Sequence, residues 1–255
     1  MTAAALKEFS ACIEMLFVPE SADYAERIRR AAEAGFGAVE FWRATDKDLE
    51  SLGKAAKQAG IPVIDFLAEP GVDLTDPANH DTFLAGLAAS RDRAVKLGAT
   101  MLLYVAGNTR PGVPRAEQHA AIVTALRRGA DVLAGSGVIL TLEPVNRGER
   151  PNTFLPFTPE ALDIVDEVGR REVKLLYDIY HSAVMGERMT EVLAGRVDRL
   201  AHVHLADHPG RHEPGTGGIP WRENLAWLRA NGYRGRVGLE FKPTHGTLEG
   251  LRFLA

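Results

Sequence analysis

Short apolar runs alternate along the chain with longer segments in which apolar residues recur every three or four positions. The short runs are rich in Val, Ile, Leu and Phe and are typical of buried strands, whereas the longer segments are typical of amphipathic helices. Eight strands are predicted, at residues 9–14, 37–42, 62–67, 100–106, 138–143, 173–178, 200–206 and 236–241. Six helices are predicted between them, at 22–35, 48–60, 82–98, 116–137, 159–169 and 221–232, and several end in Gly.

This alternation predicts the fold, because strands that are separated by helices pair in parallel. Eight such units in a chain of 255 residues match the number and size of a single (β/α)8, or TIM, barrel. We therefore predict one α/β domain over residues 1–255. An open, doubly wound sheet is the alternative, but no Gly-x-Gly-x-x-Gly follows the first strand, which disfavours its dinucleotide-binding form.

The charge and composition of the chain argue against nucleic-acid-binding and membrane-spanning proteins. The net charge is −4 and no basic run exceeds two residues, so no nucleic-acid partner is expected, although a small anionic substrate is compatible. No stretch approaches the roughly 18 apolar residues of a membrane span, and the N-terminus lacks the pattern of a signal peptide. The single cysteine, Cys12, cannot form an internal disulfide. We expect a cytoplasmic protein without a membrane partner.

The last four predicted strands each carry a polar residue close to their carboxyl end. Because alternate residues of a strand face opposite sides, these side chains face away from the apolar residues that pack against the helices. They would therefore point into the carboxyl-terminal mouth of the barrel, where barrels have their active sites. The four residues are Glu143, Asp178, His204 and Glu240.

Three carboxylates in one small space would repel one another, and a divalent cation would remove that repulsion. Two Glu, one Asp and one His form an oxygen-rich ligand set, which suits Mg²⁺ or Mn²⁺ and is also compatible with Co²⁺ or Zn²⁺. The alternative is that the four residues are unrelated and pair with Lys or Arg. Their position on successive strands at matching depth favours the metal.

Six stretches of the chain resemble a known family, and ADHPGRHEPGTG is the most specific part of them. The stretches are CIEMLF, AGFGAVEFW, LEPVNRGERPNTFL, YDIYHS, HVHLADHPGRHEPGTGGIPW and GYRGRVGLEFKP. They run nearly from end to end and resemble the hydroxypyruvate isomerase group of the xylose isomerase-like TIM barrels, which also contains the ketose 3-epimerases. Members of this family are commonly dimers or tetramers, so the resemblance implies a homo-oligomer.

The resemblance also implies roles for particular residues. It implies a metal site at the four strand-end residues already selected by alternation, with proton transfer by Glu143 and Glu240. Substrate contacts would come from Glu149, His181 and Arg211. Each has a simpler alternative: Arg211 could form a surface salt bridge with Glu213, His181 could only shape its loop, and Glu149 could be without a role. Glu40 and Trp42 could line the mouth, or form a barrel ion pair and a packing aromatic.

The implied chemistry is removal of a proton from a carbon next to a carbonyl, with the metal holding the resulting enediolate. One of Glu143 and Glu240 would remove the proton and the other could return it. Return to the neighbouring carbon isomerises a small hydroxy-keto acid or sugar, as in hydroxypyruvate to tartronate semialdehyde. Return to the opposite face of the same carbon is epimerisation. Arg211 would bind a substrate carboxylate through both oxygens.

Two departures from the family pattern bear on the substrate. His204 stands where hydroxypyruvate isomerases usually have Gln and the epimerases have His, and Glu149 stands where Asp is expected. A ketose 3-epimerase therefore remains the alternative function. Two others are less favoured: a metal-dependent phosphodiesterase or nuclease needs more histidines at strand ends, and a barrel that only binds a small acid needs no pair of proton-transfer groups.

Overall fold

Eight parallel strands lie at the centre of the computed structural model, which describes residues 6–254. Each strand lies within its predicted range, and most are shorter than predicted. The strands are β1 Phe9–Cys12, β2 Ala38–Glu40, β3 Val63–Asp65, β4 Met101–Tyr104, β5 Ile139–Leu142, β6 Val173–Asp178, β7 Leu200–Leu205 and β8 Val237–Leu239.

Helices connect the strands, and the six predicted ones are present with ends within a few residues of the prediction. Three short helices, at Ile179–Val184, Met189–Val192 and Thr247–Gly250, were not predicted. The helices are α1 Tyr24–Ala34, α2 Leu49–Ala59, α3 His80–Leu97, α4 Arg115–Leu133, α5 Thr158–Val168, α6 Ile179–Val184, α7 Met189–Val192, α8 Trp221–Ala230 and α9 Thr247–Gly250. Single 3₁₀ turns lie at Pro77–Asn79, Val197–Arg199 and Leu251–Leu254. No helix within 6–254 is long and apolar enough to cross a membrane.

Local signals in the sequence explain where helices begin and end. The α2 helix follows Asp48, whose carboxylate accepts hydrogen bonds from the N–H groups of Glu50 and Ser51 at 3.1 Å each. It ends at Gly60, which has φ 67°. In this left-handed conformation glycine avoids the steric cost that a Cβ would bring.

The sheet closes on itself. Its strand order is β3-β2-β1-β8-β7-β6-β5-β4. The two end strands meet just beyond β3, where the N–H of Leu103 donates to the carbonyl of Phe66 and the N–H of Ala68 donates to the carbonyl of Leu103, both at 2.9 Å. This closure confirms the predicted TIM barrel and excludes the open, doubly wound sheet.

The apolar core lies between the strands and the surrounding helices. In β5, Leu140 and Leu142 are fully buried in this core, together with helix residues such as Ile122 and Leu126 of α4. The inside of the barrel is different, because polar side chains meet there. Ser10 Oγ donates to Glu40 at 2.9 Å, and the Nε2 atom of His202 lies 2.8 Å from the same carboxylate.

Gly238 of β8 leaves room for two of these inner side chains. An added Cβ would lie 2.3 Å from Oε1 of Glu40 and 2.7 Å from Cδ2 of His204, well inside van der Waals contact. We predict that Gly238→Ala lowers the free energy of unfolding by about 1–3 kcal/mol in urea denaturation, because the core must move to accept the methyl group.

Gly71→Ala is the matched control, since no atom lies within 4 Å of its added Cβ. We expect its effect on stability to stay within about 0.5 kcal/mol. Equal effects of the two substitutions would contradict tight packing at Gly238.

Candidate active site

Four polar side chains meet at the carboxyl end of the barrel. Asp178 and His204 are paired in the register of β6 and β7, while Glu143 and Glu240 directly follow β5 and β8. Each of the four offers a ligand atom within 4.8 Å of the others, and all four are buried. The structure thus brings together the four residues that strand alternation selects. We call Glu143, Asp178, His204 and Glu240 the mouth cluster.

Positive charge is mixed with the carboxylates of the mouth cluster. The Nδ1 atom of His204 lies 3.3 Å from Oε2 of Glu240 and 3.8 Å from Oε1 of Glu143. This nitrogen is buried and forms no aligned hydrogen bond with any residue of 6–254. The Nη2 atom of Arg211 lies 3.4 Å from Oδ2 of Asp178 and forms an ion pair with Glu240.

Burial and charge move the pKa values of the two glutamates in opposite directions. Burial raises the pKa of Glu143 well above its usual range. Burial alone would also raise the pKa of Glu240, but Arg211 and His204 outweigh it and hold this pKa well below its usual range. The two carboxyl groups, close together in space, are therefore electrostatically different.

A loop after β7 carries Arg211 into the site. One carboxylate organises it, because Asp207 accepts hydrogen bonds from the N–H groups of His208 at 2.8 Å, Gly215 at 2.7 Å and Ile219 at 3.0 Å. Arg211 itself has φ 58°, which is unusual for a residue with a Cβ and indicates local strain. Its carbonyl accepts from the N–H of Lys242 at 2.7 Å.

Arg211 is buried and points to the mouth cluster, so the alternative of a surface salt bridge with Glu213 is wrong. Its Nη1 atom donates to Oε2 of Glu149 at 2.8 Å, and its guanidinium lies 5.0 Å from the centre of the Tyr180 ring. Glu213 instead accepts a hydrogen bond from the N–H of Thr244 at 3.1 Å. The Nε atom of Arg211 is buried and has no hydrogen-bond partner among the described residues.

His181 enters the site on the short helix α6. This helix begins after Asp178, whose carboxylate accepts from the N–H of Tyr180 at 2.7 Å. The Nδ1 atom of His181 lies 2.6 Å from the side-chain amide nitrogen of Asn146 and so acts as an acceptor, which assigns the ring proton to Nε2. Nε2 lies 3.6 Å from Oδ2 of Asp178. Burial lowers the pKa of His181, which favours the neutral ring.

Two residues on the β1 and β2 side contact Glu240. The indole Nε1 of Trp42 donates to Oε1 of Glu240 at 2.6 Å, and Sγ of Cys12 lies 3.8 Å from the same oxygen. Trp42 is 39% exposed and lines the mouth, whereas Cys12 is buried beneath it. Glu40 takes the other position considered for it, inside the barrel, where its carboxylate lies 2.8 Å from Nε2 of His202 and 3.2 Å from Nε2 of His204.

Asn146 and Tyr180 were not found by sequence reasoning, although each lies in a stretch that carries the family resemblance. Asn146 ends LEPVN and Tyr180 lies in YDIYHS. Neither residue type indicates chemistry by itself. Their importance follows from the contacts with His181 and Arg211, which depend on how the loops fold.

Comparison with known proteins agrees with this fold. Residues 28–255 match the family model described as "Xylose isomerase-like TIM barrel". Hydroxypyruvate isomerase of Escherichia coli (strain K12) is 34% identical and aligns over 96% of this chain and 97% of that protein. A structure described as an AP endonuclease, family 2, from Brucella melitensis has a TM-score of 0.90 at 29% identity and covers 96% of both chains.

A ketose 3-epimerase, the alternative function considered above, is also similar to this chain. D-allulose 3-epimerase from Methylomonas sp., solved in complex with D-allulose, has a TM-score of 0.78 at 25% identity, covering 95% of this chain and 86% of that one. The chain belongs to the xylose isomerase-like TIM barrel family. Within that family it is an isomerase of the aldose–ketose type.

Asp65, the partner of Glu40 in the register of β2 and β3, gives a prediction about stability. Burial and the charge of Glu40 raise the pKa of Asp65 to about 8. In the unfolded chain this pKa is about 3.9. Between these two values the unfolded state loses its proton before the folded state does, so rising pH weakens the folded wild type.

The variant Asp65→Asn cannot ionise and should escape this loss. We predict that its free energy of unfolding rises relative to the wild type, by a few kcal/mol at most, as the pH is raised from about 4 to about 8. Denaturant titrations of both proteins across this range measure the difference. A difference that is independent of pH would show that Asp65 is ionised in the folded protein.

Proposed function

We propose that this isomerase is metal-dependent and interconverts hydroxypyruvate and tartronate semialdehyde by proton transfer between Glu143 and Glu240. The observation that carries the proposal is the buried mouth cluster with the guanidinium of Arg211 beside it. The similarity to hydroxypyruvate isomerase of Escherichia coli supports the choice of substrate.

The mouth cluster fits a divalent cation. Three carboxylates and one imidazole nitrogen converge in a buried space, and the Nδ1 atom of His204 forms no aligned hydrogen bond with the part of the chain that the structure describes. Such an oxygen-rich set suits Mg²⁺ or Mn²⁺ and is compatible with Co²⁺ or Zn²⁺. When bound, the cation would stabilise the negative charge that develops on the substrate oxygens.

Arg211 is suited to binding the substrate carboxylate. Its guanidinium lies 5.0 Å from the centre of the Tyr180 ring, and its Nη1 atom donates to Glu149. The buried Nε donor has no hydrogen-bond partner among the described residues, so a substrate oxygen that reached it would complete its hydrogen bonding. A planar guanidinium binds both oxygens of a carboxylate, which orients the substrate as well as attracting it.

The two glutamates would move the protons. One would take a proton from the hydroxymethyl carbon of hydroxypyruvate, and the electron pair left behind gives the enediolate. A proton delivered to the former carbonyl carbon then gives tartronate semialdehyde, while the hydroxyl proton passes to the former carbonyl oxygen. The neutral ring of His181 can donate its Nε2 proton to a substrate oxygen and so orient it. The indole of Trp42 holds Glu240 in place through Oε1.

A ketose 3-epimerase is the second candidate, and His204 favours it. The similarity to D-allulose 3-epimerase of Methylomonas sp. supports the same candidate. Such a reaction would use the same glutamates but return the proton to the opposite face of the same carbon. A neutral ketose has no carboxylate, so the buried charge of Arg211 favours the keto acid.

Proton NMR in D₂O tests the proposed reaction. Protein reloaded with Mg²⁺ is expected to convert hydroxypyruvate to tartronate semialdehyde with deuterium at the reacting carbon, and EDTA-treated protein is expected to be inactive. Glu240→Gln should reduce turnover by about 10²–10⁴-fold, the usual contribution of a general acid or base, while hydroxypyruvate still binds.

Two results would contradict this account. Unchanged turnover in Glu240→Gln would exclude the mechanism with two glutamates. Conversion of a neutral ketose, with no reaction of hydroxypyruvate, would replace the isomerase by the 3-epimerase.

Arg211→Lys tests the substrate carboxylate. Lysine keeps the charge but loses the two-point contact, so we predict that KM for hydroxypyruvate rises about tenfold, which corresponds to about 1.4 kcal/mol. Arg128→Lys is the control, because Arg128 lies on the outer helix α4 with 47% of its side chain exposed. Equal KM values in Arg211→Lys and wild type would show that Arg211 does not bind the carboxylate.

A further inference from the structure

Glu40, at the end of β2, lies behind the mouth cluster and contacts His204 from the inside of the barrel. Its Oε1 atom lies 3.2 Å from Nε2 of His204, the ring nitrogen that faces away from Glu143. Its Oε2 atom accepts a hydrogen bond from Ser10 Oγ at 2.9 Å and lies 2.8 Å from Nε2 of His202. Each oxygen of this buried carboxylate therefore faces a histidine.

This contact decides which nitrogen of His204 can bind a metal. Oε1 of Glu40 and Nε2 of His204 face each other at 3.2 Å without an aligned hydrogen bond, and neither atom has another hydrogen-bond partner among the described residues. A carboxylate is an acceptor, which favours the ring form with the proton on Nε2. The lone pair of Nδ1 then points towards Glu143 and Glu240, at 3.8 Å and 3.3 Å.

A glycine on the neighbouring strand leaves room for the contact between Glu40 and His204. Gly238 is the partner of His204 in the register of β7 and β8. A side chain at 238 would collide with both Glu40 and His204. The ring of His202 also packs edge-on against that of His204, at 5.0 Å between ring centres. The pair of Glu40 and His204 is therefore held on several sides.

We propose that Glu40 is a positioning residue of the metal site, which holds His204 in the tautomer and orientation in which Nδ1 is the metal ligand. The inference rests on the proposed function, since it requires a metal at the mouth cluster. Carboxylates that accept a hydrogen bond from a ligating histidine orient its ring and make it a stronger ligand. Glu40 thus acts through His204.

Metal affinity tests this role without relying on activity. Binding of Mn²⁺ to metal-depleted protein is followed by the electron paramagnetic resonance signal of free Mn²⁺. We expect Glu40→Ala to raise Kd about 10–100-fold, the usual cost of losing such a partner. Glu40→Gln should have a smaller effect, because its amide oxygen can still accept from Nε2. Asp65→Asn is the matched control, since it alters another buried carboxyl on the neighbouring strand, and its Kd should equal that of the wild type.

A second measurement separates positioning from a general structural role. In Zn²⁺-loaded protein with ¹⁵N-labelled histidine, the signals of His204, assigned by their loss in His204→Gln, should show the proton on Nε2 alone. Glu40→Ala should give a mixture of the two ring forms. Thermal unfolding of each variant verifies that it is folded, and Glu40→Met, which keeps the length of the side chain but has no carboxylate, provides the test if Glu40→Ala does not fold.

The outcomes are distinct. Wild-type Kd and an unchanged ring form in folded Glu40→Ala or Glu40→Met would overturn the positioning role and leave the proposed function intact. Failure of the wild type itself to bind Mn²⁺ would overturn the proposed function, and the role of Glu40 with it.

Discussion

The balance of charge in the barrel mouth is the constraint on which the site depends. Three buried carboxylates would repel one another strongly if no positive charge accompanied them. His204 supplies one partner from β7, and Arg211 supplies another from the following loop. Arg211 adopts a strained backbone at φ 58° and is fixed by the hydrogen bonds of Asp207 and Lys242. The loop after β7 thus holds a guanidinium where negative charge accumulates.

The barrel and the mouth cluster were predictable because both follow from simple periodicities. Apolar runs separated by amphipathic helices imply parallel strands, and all their carboxyl ends then lie at one edge. Alternation along each strand places Glu143 beside Asp178, His204 and Glu240. The strands are shorter than their apolar runs, since the last residues of several runs leave the ladder and turn into the loops of the site. Phe41 and Phe66 are such residues, buried beyond the ends of β2 and β3 and stacked on each other at 5.3 Å.

The partners of the loop residues were not predictable in the same way. Arg211 and Glu213 are two positions apart, which makes a local salt bridge plausible in sequence, yet Arg211 pairs with Glu149, 62 positions away. Helix α6 has six residues, too few for a helical period to be recognised. Asn146 lies in an irregular loop, and its role depends on the position of His181. These contacts arise from tertiary structure, in which loops from different strands meet at one end of the barrel.

The location of the metal tests the account most directly. Crystals soaked in Mn²⁺ and measured with X-rays near the manganese absorption edge reveal the ion by its anomalous scattering. The account predicts one strong peak in the mouth cluster, in contact with Glu143, Asp178, Nδ1 of His204 and Glu240. A mouth cluster without a peak, or a peak bound instead by Glu40 and His202, would contradict it.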